Sequence, residues 1–110
     1  MEFKIKKDKY KSARGGYSRL LSLHCRKCNS IVAIYQKDGP GSLLRLYLDR
    51  IVSPEYLINL QHKNIKDIAN LKCKNCGEII ASPYIYAAEK RKAFRLFHDA
   101  VIKKPYKNIK

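Results

Sequence analysis

The chain has no cysteine outside two Cys-x-x-Cys pairs, no long apolar run, and only nine acidic residues against 24 lysines and arginines among its 110 positions. The first absence leaves no spare thiol to act as a nucleophile once the pairs bind metal. The second excludes a membrane-spanning helix, which needs about 18 or more consecutive apolar residues. The basic start, MEFKIKKDKYK, is followed by no apolar stretch, so no secretory leader is expected. A phosphate-cradling glycine loop is also missing, because Gly39-Pro40-Gly41 lacks the required spacing and strand-to-helix context. The three histidines, His24, His62 and His98, form no catalytic pattern, and the Asp99 beside His98 says little about a dyad in space. The shortage of acids leaves a net charge of +15.

What is present begins with the cysteines. Cys25 and Cys28 form one pair, Cys73 and Cys76 the other. A tetrahedral structural zinc site takes four thiolates, and each Cys-x-x-Cys turn presents two. One structural Zn²⁺ therefore uses all four sulfurs and leaves no open position. Asn29 follows the first pair and Gly77 the second. These residue types best tolerate the left-handed backbone with which a metal knuckle turns away. Arg26, Lys27, Lys72 and Lys74 flank the sulfurs and would offset the −2 formal charge of a four-thiolate zinc centre. In a chain this small, zinc binding worth about 10–16 kcal/mol is enough to decide folding. A dithiol redox role is the alternative, but redox pairs open helices, whereas Asn or Gly and β-branched residues follow these. Cysteines spaced for metal suit a reducing compartment, so a cytoplasmic location is expected.

Around each pair the chain reads as strand, knuckle, strand. Leu20–Cys25 leads in and Ile31–Tyr35 leads out; Ile68–Cys73 leads in and Glu78–Ala81 leads out. This internal repeat predicts two similar hairpins facing each other across one ion. Between them, Leu44, Leu46 and Leu48 alternate with Arg45, Tyr47 and Asp49, a period of two that predicts a half-buried strand. Its polar side offers Arg45 and Arg50 beside Tyr47 as anion contacts, although such faces usually just meet water. Ser53-Pro54-Glu55 signals a helix start, predicting one short helix over 54–61 with Leu57 and Leu60 inward. Residues 88–101 fit a helix or two short strands, and the strand-rich surroundings favour strands. The predicted fold is mainly β, or α+β: two zinc-knuckle hairpins joined by a small antiparallel sheet. A basic arm is expected over residues 1–19, the zinc domain over 20–102 and a basic tail over 103–110.

The charge is uneven. Residues 1–27 carry nine Lys/Arg against Glu2 and Asp8, a net +7; residues 88–110 carry eight against Glu89 and Asp99, a net +6; the middle carries only +2. Such ends attract a polyanion. Candidate phosphate contacts are Lys4, Lys6, Lys7, Lys9, Lys11, Arg14 and Arg19, with Lys90, Arg91, Lys92, Lys103, Lys104 and Lys107. Tyr10 and Tyr17 are candidates to stack on bases.

Two knuckles separated by the 44 residues 29–72, with strands between, resemble the β-tent zinc folds. These include the zinc-bearing methionine-sulfoxide reductase B class, the Rab-binding zinc chaperones and the C-terminal RNA-sensing domain of antiviral helicases. A shorter zinc ribbon of ribosomal and transcription proteins is the rival resemblance. Only the four cysteines match as a motif. Reductase activity would need a further cysteine or selenocysteine, which this chain lacks. The resemblance implies a scaffold for binding, not catalysis. The expected role is a non-enzymatic zinc module binding RNA or a ribonucleoprotein surface. A protein-interaction adaptor or chaperone seeking an acidic protein surface is the alternative.

Overall fold

Apolar residues at every second position of Leu21, Leu23 and Cys25 suit a strand with one face buried, and the chain uses them so. In a computed structural model describing residues 5–106, β1 (Ser18–Cys25) and β2 (Ile31–Asp38) form an antiparallel hairpin closed by the first cysteine pair. β4 (Ile51–Ser53) flanks β2 and β8 (Val101–Pro105) flanks β1, giving a first sheet of order β4-β2-β1-β8. The second sheet has the order β3-β7-β6-β5, from β3 (Arg45–Tyr47), β7 (Arg91–Leu96), β6 (Ile79–Tyr86) and β5 (Leu71–Lys72). Leu21, Leu23, Ala33 and Tyr35 of the first sheet meet Leu46, Ile80, Ala81 and Phe94 of the second in one core that includes Cys25 and Cys73. The protein is mainly β, as expected, with strands rather than a helix across 91–105.

Two local expectations need correction. The alternating run after Leu43 is not one strand. It is β3, a 3-10 turn at Leu48–Arg50, and β4, so it carries the chain from one sheet to the other. Leu46 and Leu48 are buried as the pattern requires, but Leu44 of the same set is exposed, and Tyr47 and Arg50 on its polar side are buried too. Over 54–61 there is no continuous α-helix but two 3-10 turns, Glu55–Leu57 and Leu60–His62. Asn59, in the left-handed region at φ 70°, separates them. Leu57 is buried and Leu60 packs against the core, as predicted.

The N-terminal segment is also unlike the free arm its composition suggests. The α-helix α1 (Lys9–Ala13) is capped by Asp8, whose carboxylate accepts from the Tyr10 and Lys11 N–H groups at 3.0 and 3.2 Å. Ahead of it, the fully buried Gln36 side chain bonds both backbone groups of Lys6, at 2.7 and 2.9 Å. Behind it, Arg14 presses on Gly39, where an added Cβ would lie 2.9 Å from the Arg14 Cβ. Gly39 also sits at φ +75°, so a glycine is required there twice over.

Ion pairs hold this segment down. Arg50, 1% exposed, bonds Asp38 at 2.8 Å and Asp8 at 2.5 Å and lies 3.6 Å from Asp49. Arg91 pairs with Asp49 at 2.8 Å and Glu89 at 3.1 Å, and Glu89 pairs in turn with Arg14 at 2.7 Å. Arg91 also lies over the rings of Tyr10 and Tyr47, at 3.9 and 3.7 Å. A buried arginine is tolerable only while its carboxylates remain.

The Arg50 side chain holds the Asp8 carboxyl down to about 2, assisted by the Lys11 and Tyr10 amides. A depressed carboxyl stabilises the fold fully above its ordinary value near 3.8 and loses that contribution as pH falls towards 2. Arg50→Met strands the buried Asp38 carboxylate and should cost about 3 kcal/mol or more. Urea unfolding at pH 7 measures that loss, and acid titration should show Arg50→Met gaining less stability than the parent between pH 2 and 4.

Candidate metal centre and cationic surface

The two knuckles repeat each other bond for bond. The Cys25 N–H donates to the Ser30 carbonyl and the Asn29 N–H to the Cys25 carbonyl, each at 2.8 Å. In the second, the Cys73 N–H donates to the Glu78 carbonyl and the Gly77 N–H to the Cys73 carbonyl, again at 2.8 Å. The exit residues adopt the left-handed conformation expected of them, Asn29 at φ 63° and Gly77 at φ 81°. One pair extends β1 of the first sheet and the other follows β5 of the second, and they meet at one end of the core.

All four sulfurs lie within 4.8 Å of one another. Cys25 Sγ is 3.7 Å from Cys76 Sγ, and Cys28 Sγ is 3.5 Å from Cys73 Sγ. An ion bound at about 2.3 Å from four sulfurs needs tetrahedron edges of about 3.8 Å. The cluster matches that size, so the four cysteines can hold one metal ion. No disulfide joins them. Cys25 and Cys73 are buried, Cys28 is half-buried and Cys76 is exposed, so the sulfur cage opens on one side.

Local hydrogen bonds prepare the sulfurs. Ser30 and Asn75 side chains, with the Ser30 backbone, hold the Cys28 thiol down to about 5. At Cys76 the Glu78 backbone pulls the same way, but desolvation and the three neighbouring sulfurs prevail and push its thiol up to about 12. Crowding four sulfurs without a cation therefore disfavours a full set of thiolates, and metal binding displaces the remaining protons. The Lys27 N–H donates to Cys25 Sγ at 3.4 Å. Arg26 and Lys27 each lie 3.9 Å from Glu78, so the flanking cations are tethered across the two knuckles. His24 is no substitute ligand: its ring contacts Ser22 Oγ and the Asn29 carbonyl, both at 3.1 Å.

The residues expected to contact phosphate are dispersed, and several are held inward. Arg14 and Arg91 belong to the ion-pair network above, and Tyr10 lies beneath Arg91. The amines of Lys6 and Lys92 donate to backbone carbonyls, Lys6 to Asp49 and Lys92 to Gln61 and Lys63. Lys11 does the same to Gly16. Lys9 sits over the Tyr10 ring and Arg19 over the Tyr17 ring. The amines of Lys7, Lys90, Lys103 and Lys104 have no hydrogen-bond or ion-pair partner among the described residues. Lys4 and Lys107 lie outside the described residues.

The structure also assembles a surface that the end-charge argument missed. Register places Arg45 opposite Arg95, Ser82 opposite Arg95, Tyr84 and Tyr47 opposite Ala93, and Tyr86 opposite Arg91. These residues share the face of the second sheet that points away from the core, since directly opposed residues point to the same side. Ala93 is too small to fill the middle, so longer neighbours converge above it. Arg45 lies 4.0 Å over the Tyr86 ring and donates to the Tyr84 hydroxyl at 2.8 Å; Arg95 lies 4.7 Å over Tyr84. The signal was the period-two spacing of Tyr84, Tyr86, Arg91 and Arg95, visible only once these strands are known to be neighbours.

No known protein family, curated protein or solved structure matches the chain. The four-cysteine cluster is compatible with a zinc-ribbon-like site on its own geometry. No helix among the described residues is long and apolar enough to cross a membrane.

Cys73→Ser should abolish stoichiometric metal binding and unfold the protein, read by metal analysis and circular dichroism. A variant that stays folded with unchanged stability would refute a structural role for the site. In the metal-loaded parent, all four thiols should resist a thiol reagent until a chelator is added.

Proposed function

We propose that the chain is a non-catalytic structural-zinc module that binds single-stranded RNA, alone or on a ribonucleoprotein, in a reducing compartment such as the cytoplasm. Zn²⁺ is the fitting ion because a closed set of four thiolates of this size suits a structural zinc site. The observation that carries the binding role is the interleaving of Arg45 and Arg95 with Tyr84 and Tyr86 on one sheet face. Aromatic rings and guanidinium planes both stack on bases, at about 1–3 kcal/mol per base. Arginine adds a fixed charge for the backbone phosphates. The free amines of Lys7, Lys90, Lys103 and Lys104 extend the attractive field beyond the face, so the basic ends steer the polymer while the sheet holds it.

Closed chemistry at the cysteines supports a role without catalysis.

Binding through about three phosphates should weaken roughly twentyfold between 50 and 200 mM salt. Fluorescence anisotropy with a labelled mixed-sequence single strand measures this. Arg95→Ala, at an exposed position, should weaken binding about fivefold without altering the melting temperature. Absent or salt-indifferent binding sinks the proposal, and partners that survive nuclease treatment would favour the acidic-protein alternative.

A further inference from the structure

Beside the Arg–Tyr face, where β2 and β3 come together, lies a pocket of about 70 Å³ lined by Arg14, Lys37, Arg45, Tyr35, Tyr47 and Ser42, among others. An ordered water needs about 10–15 Å³, so there is room here for a larger group. Three of these side chains are cations. Lys37 is the unusual one, because it is only 7% exposed. Its amine carries three N–H donors, and its one partner among the described residues is the Gly39 carbonyl at 3.2 Å. Burial, then the positive charges of Arg19, Lys103 and Arg14, push its pKa down. A lysine kept in so unfavourable a place for packing alone is poor design, since methionine would fill the same space without a buried charge.

Other donors around the pocket are also unspent. Arg14 directs one nitrogen to Tyr47 and Glu89, but its Nη1 is buried with no hydrogen-bond partner among the described residues. The Tyr35 hydroxyl accepts from the Tyr47 N–H at 2.8 Å and donates to nothing among the described residues. Asp38 also borders the pocket, but its carboxylate is occupied by Ser18, Gln36 and Arg50 at 2.6 to 2.8 Å. The result is a small polar recess with an excess of donors and positive charge, next to the surface proposed for a nucleic-acid strand.

We infer that this recess is a binding site for one phosphate group, held by the Lys37 amine, the Arg14 and Arg45 guanidiniums and the Tyr35 and Ser42 hydroxyls. A tetrahedral oxyanion offers acceptors in several directions, which matches donors converging from both sheets and the Arg14 turn. Two sources share this chemistry, a phosphate of a nucleic-acid strand and a free phosphorylated small molecule. Assigning the strand as source rests on the single-strand reading; the affinity for phosphate does not.

The test is calorimetric titration of the full metal-loaded chain with inorganic phosphate, with chloride holding ionic strength constant, followed by competition against the labelled strand. Phosphate should bind at one site and raise the melting temperature. Lys37→Met should weaken that binding about tenfold or more while melting at the same or a higher temperature than the parent. A purely structural lysine would give the opposite signature, a lower melting temperature with unchanged phosphate affinity. Ser42→Glu, at an exposed rim position, tests the same point by placing a carboxylate at the mouth, and should also weaken phosphate binding. Failure of phosphate to bind the parent, or equal binding by both variants, overturns the site whatever the RNA result. Phosphate that binds and displaces the strand supports both readings. Phosphate that binds without displacing it retains the pocket for a free phosphorylated ligand and removes it from the RNA surface.

Discussion

The meeting of four sulfurs is the constraint on which the rest of the architecture depends. Cys25 and Cys28 belong to the end of the first sheet, Cys73 and Cys76 to the end of the second, and the sulfurs close to 3.5–3.7 Å across the gap. The apolar core holds the sheets together along their length, but a 110-residue chain has little apolar area to spare. A cation shared between the knuckles would join the sheets where that core runs out. It would also settle an electrostatic conflict, because thiolates so close together repel unless a positive ion lies among them.

Charge is organised by the same economy. Asp8, Asp38, Asp49 and Glu89 are used up on Arg14, Arg50 and Arg91, which fasten the N-terminal segment over the crossover between the sheets. Glu78 answers the two cations beside the metal site. Most of the acid is therefore spent inside the fold, and the surface keeps the surplus of lysine and arginine. The cationic exterior thus reflects where the carboxylates went as much as where the cations lie.

The four-cysteine cluster was legible in the sequence because its signal is local: spacing, an exit residue with a tolerant backbone, and strand formers on either side. The strands within residues 91–105 were favoured only by their strand-rich surroundings, because the local spacing fitted a helix as well. What escaped was decided by distant partners. Nothing in Lys9–Ala13 marks a helix, since five residues with no apolar stripe give no periodicity; Asp8 and Arg50 fix it from 42 positions apart. The alternation after Leu43 was real, but alternation cannot say that a strand changes sheets midway. Arg50 looked like a surface arginine because its burial depends on three carboxylates, one of them in the N-terminal segment. The Arg–Tyr face needed the register of β3, β7 and β6, which no single strand contains.

The strand order carries a consequence for the chain as it is made. β1 pairs with β8, and β3 with β7, so neither sheet can be completed until residues 91–105 have been made. Cys28 precedes Cys76 by 48 positions, roughly 2–10 s of translation at about 5–20 residues per second. During that interval the first knuckle has two ligands and no counterpart, open to oxidation or to a borrowed ion from another protein. The ribosome therefore hands over a half-built claw, and its fate depends on how quickly the second half arrives.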